Sequence, residues 1–247
     1  VGPFPNQLNF GPLHFYLYGL GLGIAASVAY YYAKRRLSRV GINAERFWVF
    51  ATGIIIAGVL GARIAHVVTN WGYYQHSPGQ WLALWNGGLA SFGGIALAIP
   101  VGLVLRHRIW PDSSQLAFLD ALLPALLLGW AIGRLLGPQF MYAGGGHITH
   151  QWFGFYYHGQ VGKRVPVPII QGIEDALIWI GALSLEKKFS RPGVIAGYAM
   201  LIWGVVRSLD EYLLLGQNSQ SGSIGVQLSG ILLALVGAII LLRAAKN

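Results

Sequence analysis

Eight charged side chains fall inside apolar stretches of this chain, away from their end residues: Arg63, Asp120, Arg134, Glu174, Asp175, Arg207, Asp210 and Glu211, with His66 and Gln171 as polar company. A charge at hydrocarbon depth costs several kcal/mol, so each needs a partner, a wet cavity or a ligand. Arg207 has Asp210 and Glu211 three and four residues on, where either acid can share its helical face. Arg63 shares a face with His66 and follows the small-residue spacing Gly58-x-x-Gly61, so packing, snorkelling and ligand contact are all open to it. Arg134 is different, because the residues three and four away are Trp130, Ala131, Gly137 and Pro138. Its partner has to come from another helix, from backbone carbonyls or from a ligand. A permanently charged planar fork suits bidentate binding of a phosphate. Arg63, Arg134 and Arg207 all lie toward the outer half of their apolar stretches, where the most available anion is a phospholipid headgroup.

The elements that must position these residues are membrane helices. The chain has 247 residues, of which 55% are hydrophobic and 10% charged, with mean hydropathy +0.54. Soluble domains are about 25% charged, so this composition reads as an integral membrane protein. Apolar runs of spanning length occupy 13–33, 45–69, 91–106, 115–137, 168–186, 193–215 and 222–242. The third is interrupted by Gly93-Gly94 and Pro100, and the fifth contains Glu174 and Asp175. The first dozen residues, VGPFPNQLNFGP, read as neither a signal peptide nor a span.

Loop charge sets the orientation. Lys34, Arg35, Arg36, Arg39 and Arg46 flank the first loop, Arg106 and Arg108 the third, and Lys187, Lys188 and Arg191 the fifth, with Arg243 and Lys246 in the tail. The second and sixth loops hold no Lys or Arg, and only Lys163 and Arg164 in the fourth break the alternation. The expected fold is therefore all-α, an integral membrane protein of seven transmembrane helices. Its N-terminus lies outside and its C-terminus in the cytoplasm, and residues 1–247 form a single transmembrane domain. The net charge of +9 sits in these loops, which argues for membrane topology and against a nucleic-acid partner. With no cysteine there is no disulfide, no thiolate metal site and no cysteine nucleophile within the chain.

Two connecting stretches stand out. Residues 138–166, PQFMYAGGGHITHQWFGFYYHGQVGKRVP, carry His147, His150 and His158 among aromatics and glycines. They read either as a flexible hairpin in an aromatic belt or as a small periplasmic subdomain over the mouth of a site, with Lys163 and Arg164 attracting anionic headgroups. The two glycine pairs of Gly87-Gly88-Leu-Ala-Ser-Phe-Gly93-Gly94 suggest a re-entrant turn, with a plain loop as the default. Tyr16 and Tyr18 stand where interface anchors belong.

In order, the chain shows F-Y-L-Y-G, G-A-R-I-A-H, W-N-G-G-L-x-S-F-G-G, Asp120-x-x-x-Pro124 with Gly133-Arg134-Leu135 ten residues past the proline, Pro-x-x-Gln-x-x-Glu and V-R-x-x-x-E. This series resembles the bacterial prolipoprotein diacylglyceryl transferases over nearly the whole chain. The resemblance implies the same seven spans in the bacterial inner membrane. It also implies transfer of diacylglyceryl from phosphatidylglycerol to the lipobox cysteine of a preprolipoprotein, with glycerol phosphate released. The nucleophile would belong to the substrate, and no metal or cofactor would be needed if arginines neutralise the leaving phosphate. On this resemblance Arg134 and Arg207 hold the phosphate and Glu211 orients Arg207. Asp120 and Tyr16 support the site, Arg63 is a further headgroup contact, and Gly93 and Gly94 belong to the substrate-binding stretch.

The chain departs from the family pattern within the motifs. Phe92 stands where the family has a histidine proposed to help remove the thiol proton, and Leu136-Gly137-Pro138 replace an asparagine- and glutamate-bearing continuation. Val167 precedes Pro168 in place of a histidine, and Gln171 falls one place late. Either the thiol needs little help beside arginines, or His147, His150 or His158 serves as base, or the chain is a lipid-binding or lipid-transferring relative without this activity. A small-solute transporter or channel is the reading from another class, and the absence of internal repeats argues against it.

Overall fold

A computed structural model describes residues 5, 7–10, 13–83, 90–137, 144–213 and 222–246. A short antiparallel hairpin, β1 (Gln7–Phe10) and β2 (Leu13–Tyr16), leads into α1 (Leu17–Arg39). There follow α2 (Phe47–Thr69), the single turn α3 (Trp71–Tyr74), α4 (Ser91–Ile109), α5 (Gln115–Leu136), α6 (Val167–Glu186), α7 (Val194–Leu213) and α8 (Gly222–Lys246). The long helices occupy the apolar runs. Four of them, α2, α5, α6 and α8, are long and apolar enough to cross a membrane.

The architecture is helical as expected, with the hairpin as its one regular departure among the described residues. Residues 13–16 open the first apolar run but belong to β2 and not to a span. Gln7-Leu8-Asn9-Phe10 alternates polar and apolar with the two-residue period of a strand, and it pairs Gln7 with Tyr16 and Phe10 with Leu13. A correction concerns Gly93 and Gly94, which are helical members of α4 and form no re-entrant turn; residues 84–89, with Gly87-Gly88, lie outside the described part.

The chain forms two compact units, Val1–Val40 with Ser114–Asn247, and Gly41–Ser113. In the first, α1 packs on α5, α5 on α6 and α7, and α7 on α8. A latch ties one end of this unit together. Pro124 has no N–H, so the Asp120 carbonyl four residues earlier loses its helical donor. Arg36 of α1 fills the vacancy, donating from Nη2 to Asp120 O at 3.1 Å and from Nε to Ala121 O at 3.0 Å. The same guanidinium forks onto both carboxylate oxygens of Glu186 in α6, each at 3.0 Å. Asp120 meanwhile accepts the N–H groups of Gly193 at 2.6 Å and Ala196 at 2.7 Å, capping α7. Gly193 presents its amide at φ +98°, a conformation that a side chain would strain.

On α8, Leu228, Leu232, Leu235 and Leu242 are each more than half exposed. Such a stripe is a liability in water and is the face a helix offers to lipid.

In the second unit α2 packs on α4, and a Cβ at Gly94 would stand 2.8 Å from the Gly58 carbonyl oxygen. The Gly58-x-x-Gly61 spacing thus does what it suggests, bringing two backbones together. Trp110 closes one end, donating from Nε1 to Asn43 O at 2.6 Å.

Candidate active site

At the end of the first unit away from the Arg36 latch, α1 begins, α5 ends, α6 begins and α7 ends. Helices that alternate in direction bring Arg134, Gln171, Glu174, Asp175, Arg207 and Asp210 to this one end. Arg134 lies 5.8 Å from the ring centroid of Trp130, one turn back on the same helix, close enough for a cation–π contact. Trp130 meets Trp203 of α7 edge to face at 6.0 Å, and Trp203 Nε1 donates to Asp175 Oδ1 of α6 at 2.9 Å. Arg207 Nη1 is 3.7 Å from Asp210 Oδ2, which accepts from Gln171 Nε2 at 3.0 Å. Arg134 is within electrostatic reach of Arg207, Asp175, Asp210 and Tyr18. Two guanidinium groups this close repel unless negative charge lies between or beside them.

An open trough of about 450 Å³ runs from Arg134 and Tyr18 along α1 and α5, walled by Leu22, Ala25, Ala29 and Leu126. Its floor is narrow, since a Cβ on Gly129 would stand 2.6 Å from that of Ala29. The lining is apolar except at the Arg134 end, which matches a fatty chain attached to an anionic head.

The residues singled out in the sequence separate into groups. Arg134 and Arg207 come together. Glu211 is buried, but the acid paired with Arg207 is Asp210, three residues on, rather than Glu211. Asp120 is at the far end of α5, fourteen residues or about 21 Å from Arg134 at 1.5 Å per residue, and its carboxylate holds α7. Arg63 belongs to the second unit, 3% exposed, where it donates to Trp81 O at 2.8 Å and Gln80 O at 2.6 Å and lies 5.3 Å from the Tyr74 ring centroid. Gly93 and Gly94 pack against α2 there. Tyr16 ends β2, and its side chain, like that of Phe92 and like residues 138–143, lies outside the described residues.

His147 and His150 are exposed in a folded segment, and neither lines the trough. That segment, residues 144–166, is ordered by reciprocal bonds between Phe155 and Arg164 at 2.9 and 2.7 Å and by Val165 N donating to His147 O at 3.0 Å. These bonds give residues 144–166 a hydrogen-bonded fold of their own. Within it Tyr157 is buried, which pushes its phenol up to about 12 and keeps it neutral.

Trp130, Trp203 and Tyr18 are site residues that the reading of charges alone passes over. A signal for the tryptophans was present: Trp130-x-x-x-Arg134 and Trp203-x-x-x-Arg207 repeat one spacing, a turn apart, on two helices.

The family model described as prolipoprotein diacylglyceryl transferase matches residues 5–243. The chain belongs to the prolipoprotein diacylglyceryl transferase family. Relatives named phosphatidylglycerol–prolipoprotein diacylglyceryl transferase include that of Halalkalibacterium halodurans, 27% identical over 97% of this chain and 86% of the relative. That of Bacillus mycoides is 28% identical over 79% of this chain and 75% of the relative. That of Bacillus licheniformis is 35% identical over 53% of this chain and 47% of the relative. Membership in this transferase family, with the apolar helices and the lipid-facing leucines of α8, makes the chain a multi-pass membrane protein.

Proposed function

We propose that this chain transfers the diacylglyceryl group of phosphatidylglycerol to the lipobox cysteine thiol of a preprolipoprotein. It does so as a single transmembrane domain of seven spans in the bacterial inner membrane, with the 144–166 segment outside. The observation that carries the reading is Arg134 at the head of an apolar trough, with Arg207 within electrostatic reach of it. The trough takes a fatty chain, and the guanidinium groups take the phosphate.

In the reaction the thiolate sulfur attacks the glyceryl carbon that bears the phosphate. A sulfur–carbon bond forms, the carbon–oxygen bond breaks, and the electron pair leaves on glycerol phosphate. The phosphate goes from a diester to a monoester and gains negative charge, so cations fixed beside it stabilise the transition state more than the ground state. Asp175 and Asp210 hold the two arginines in place before the lipid arrives, and Trp130 sets the Arg134 side chain over its ring. Asp120 supports the site from a distance by anchoring α7. Purified protein in phosphatidylglycerol vesicles with a lipobox peptide tests this directly, by the mass of the peptide.

Phe92, standing where the family has a histidine, favours a second reading, a lipid-binding or lipid-transferring relative that does not modify the peptide. It predicts phosphatidylglycerol co-purifying with the protein and an unchanged peptide mass.

A further inference from the structure

Deep between α5, α6 and α7, behind Arg207, is a second and much smaller space of about 10 Å³, the room of a single water. Gln171 faces it and is 3% exposed. Its Nε2 is occupied by Asp210, yet its Oε1 is buried without a hydrogen-bond donor. Glu174 Oε2 is in the same state, and Glu174 and Asp210 stand within hydrogen-bonding reach of each other. Two carboxyl groups at that separation share a proton, because both cannot stay ionised side by side. The Gln171 amide oxygen lacks a donor and borders space for one water, which could bridge it to the carboxyl pair.

We propose that the Glu174–Asp210 carboxyl pair, held by Gln171, accepts the proton released by the substrate thiol. The inference rests on the transferase reading above and supplies the acceptor for which the sequence offers no histidine at position 92. The pair carries one proton and one negative charge. The thiol S–H breaks, its proton neutralises the remaining carboxylate, and the thiolate forms its bond to the glyceryl carbon. The pair then gives the proton to the phosphate oxygen freed by the departing glycerol phosphate. The net charge beside the arginines is unchanged throughout: the phosphate gains a charge as the carboxylate loses one. The charged and titratable groups facing the pair are Arg134 from α5, Asp175 from α6 and Arg207 from α7.

The test uses full-length protein in phosphatidylglycerol vesicles and two lipobox peptides, one with cysteine and one with selenocysteine, whose selenol is already ionised at neutral pH. Asp210→Asn and Glu174→Gln keep shape and remove the acid. Each is expected to lower transfer to the cysteine peptide at least tenfold at pH 7. The deficit should shrink as pH rises toward the thiol's ordinary value near 8.5, and transfer to the selenocysteine peptide should stay within twofold of the wild type. A deficit equal for both peptides and at every pH would make the pair structural and overturn the proposal, as would undiminished transfer in both variants. If the wild-type chain modifies neither peptide, the transferase reading itself fails and this inference with it.

Discussion

In the proposed reaction Arg134 is the residue on which the chemistry depends. It touches the Trp130 ring and stands at the head of the trough, where the proposed lipid phosphate would bind. Arg134→Ala should reduce transfer by a factor of about 10² to 10³, the usual cost of removing one preorganised oxyanion donor, with little change in the amount of folded protein. Phe92→His should leave transfer equal or raised; a clear fall would mean that Phe92 contributes to the site itself. Both are read from initial rates with the lipobox peptide. At this scale Arg134 was recognisable in the sequence, because it had no acid a turn away. Its partners were not, since Asp175 is 41 positions distant and only the packing of α5 on α6 brings it near. Spacing placed Asp210 and Glu211 equally well beside Arg207, and Asp210, the acid it pairs with, is also held by Gln171 of another helix.

The helices are held by side chains that do no chemistry. The Asp120-x-x-x-Pro124 spacing, the most distinctive in the apolar run, is a latch: the proline frees a carbonyl for Arg36, and the acid caps α7. Arg36→Leu should lower the unfolding free energy in detergent by about 2 kcal/mol, the order of cost of leaving buried carbonyls without a donor, since the Glu186 carboxylate it releases is 43% exposed and can be solvated. Asp120→Ala should lower it by about 1 kcal/mol, the usual value of an N-cap. Thermal melts measure both, and if neither moves the midpoint the latch does not hold the fold. Ala26 lines the trough and is exposed. Ala26→Trp fills the channel without entering the core, so transfer should fall while the melting midpoint stays put. Helix positions were legible from apolar length alone, since hydrocarbon demands it. The hairpin was less so, because residues 13–16 are apolar enough to be read as the start of a span, and the alternation of Gln7–Phe10 is only four residues long. The glycines of α4 suggested a re-entrant turn or a loop when read alone; beside Gly58 and Gly61 they are a packing seam.

At the scale of the molecule, loop charge, lipid-facing leucines and family membership support the proposed topology: an N-terminus outside, a C-terminus inside and the 144–166 segment above the outer surface. The chain has no cysteine, so single cysteines report cleanly. Gly159→Cys in spheroplasts should react with a membrane-impermeant maleimide from outside, and Lys246→Cys only after permeabilisation; the reverse pattern would invert the topology and remove the site from the leaflet assigned to it. The most direct measurement remains the mass of a lipobox peptide incubated with the purified chain in phosphatidylglycerol vesicles. A diacylglyceryl transferase adds one diacylglyceryl group as a thioether on the cysteine. An unmodified peptide, beside an active relative that modifies it under the same conditions, would contradict that function.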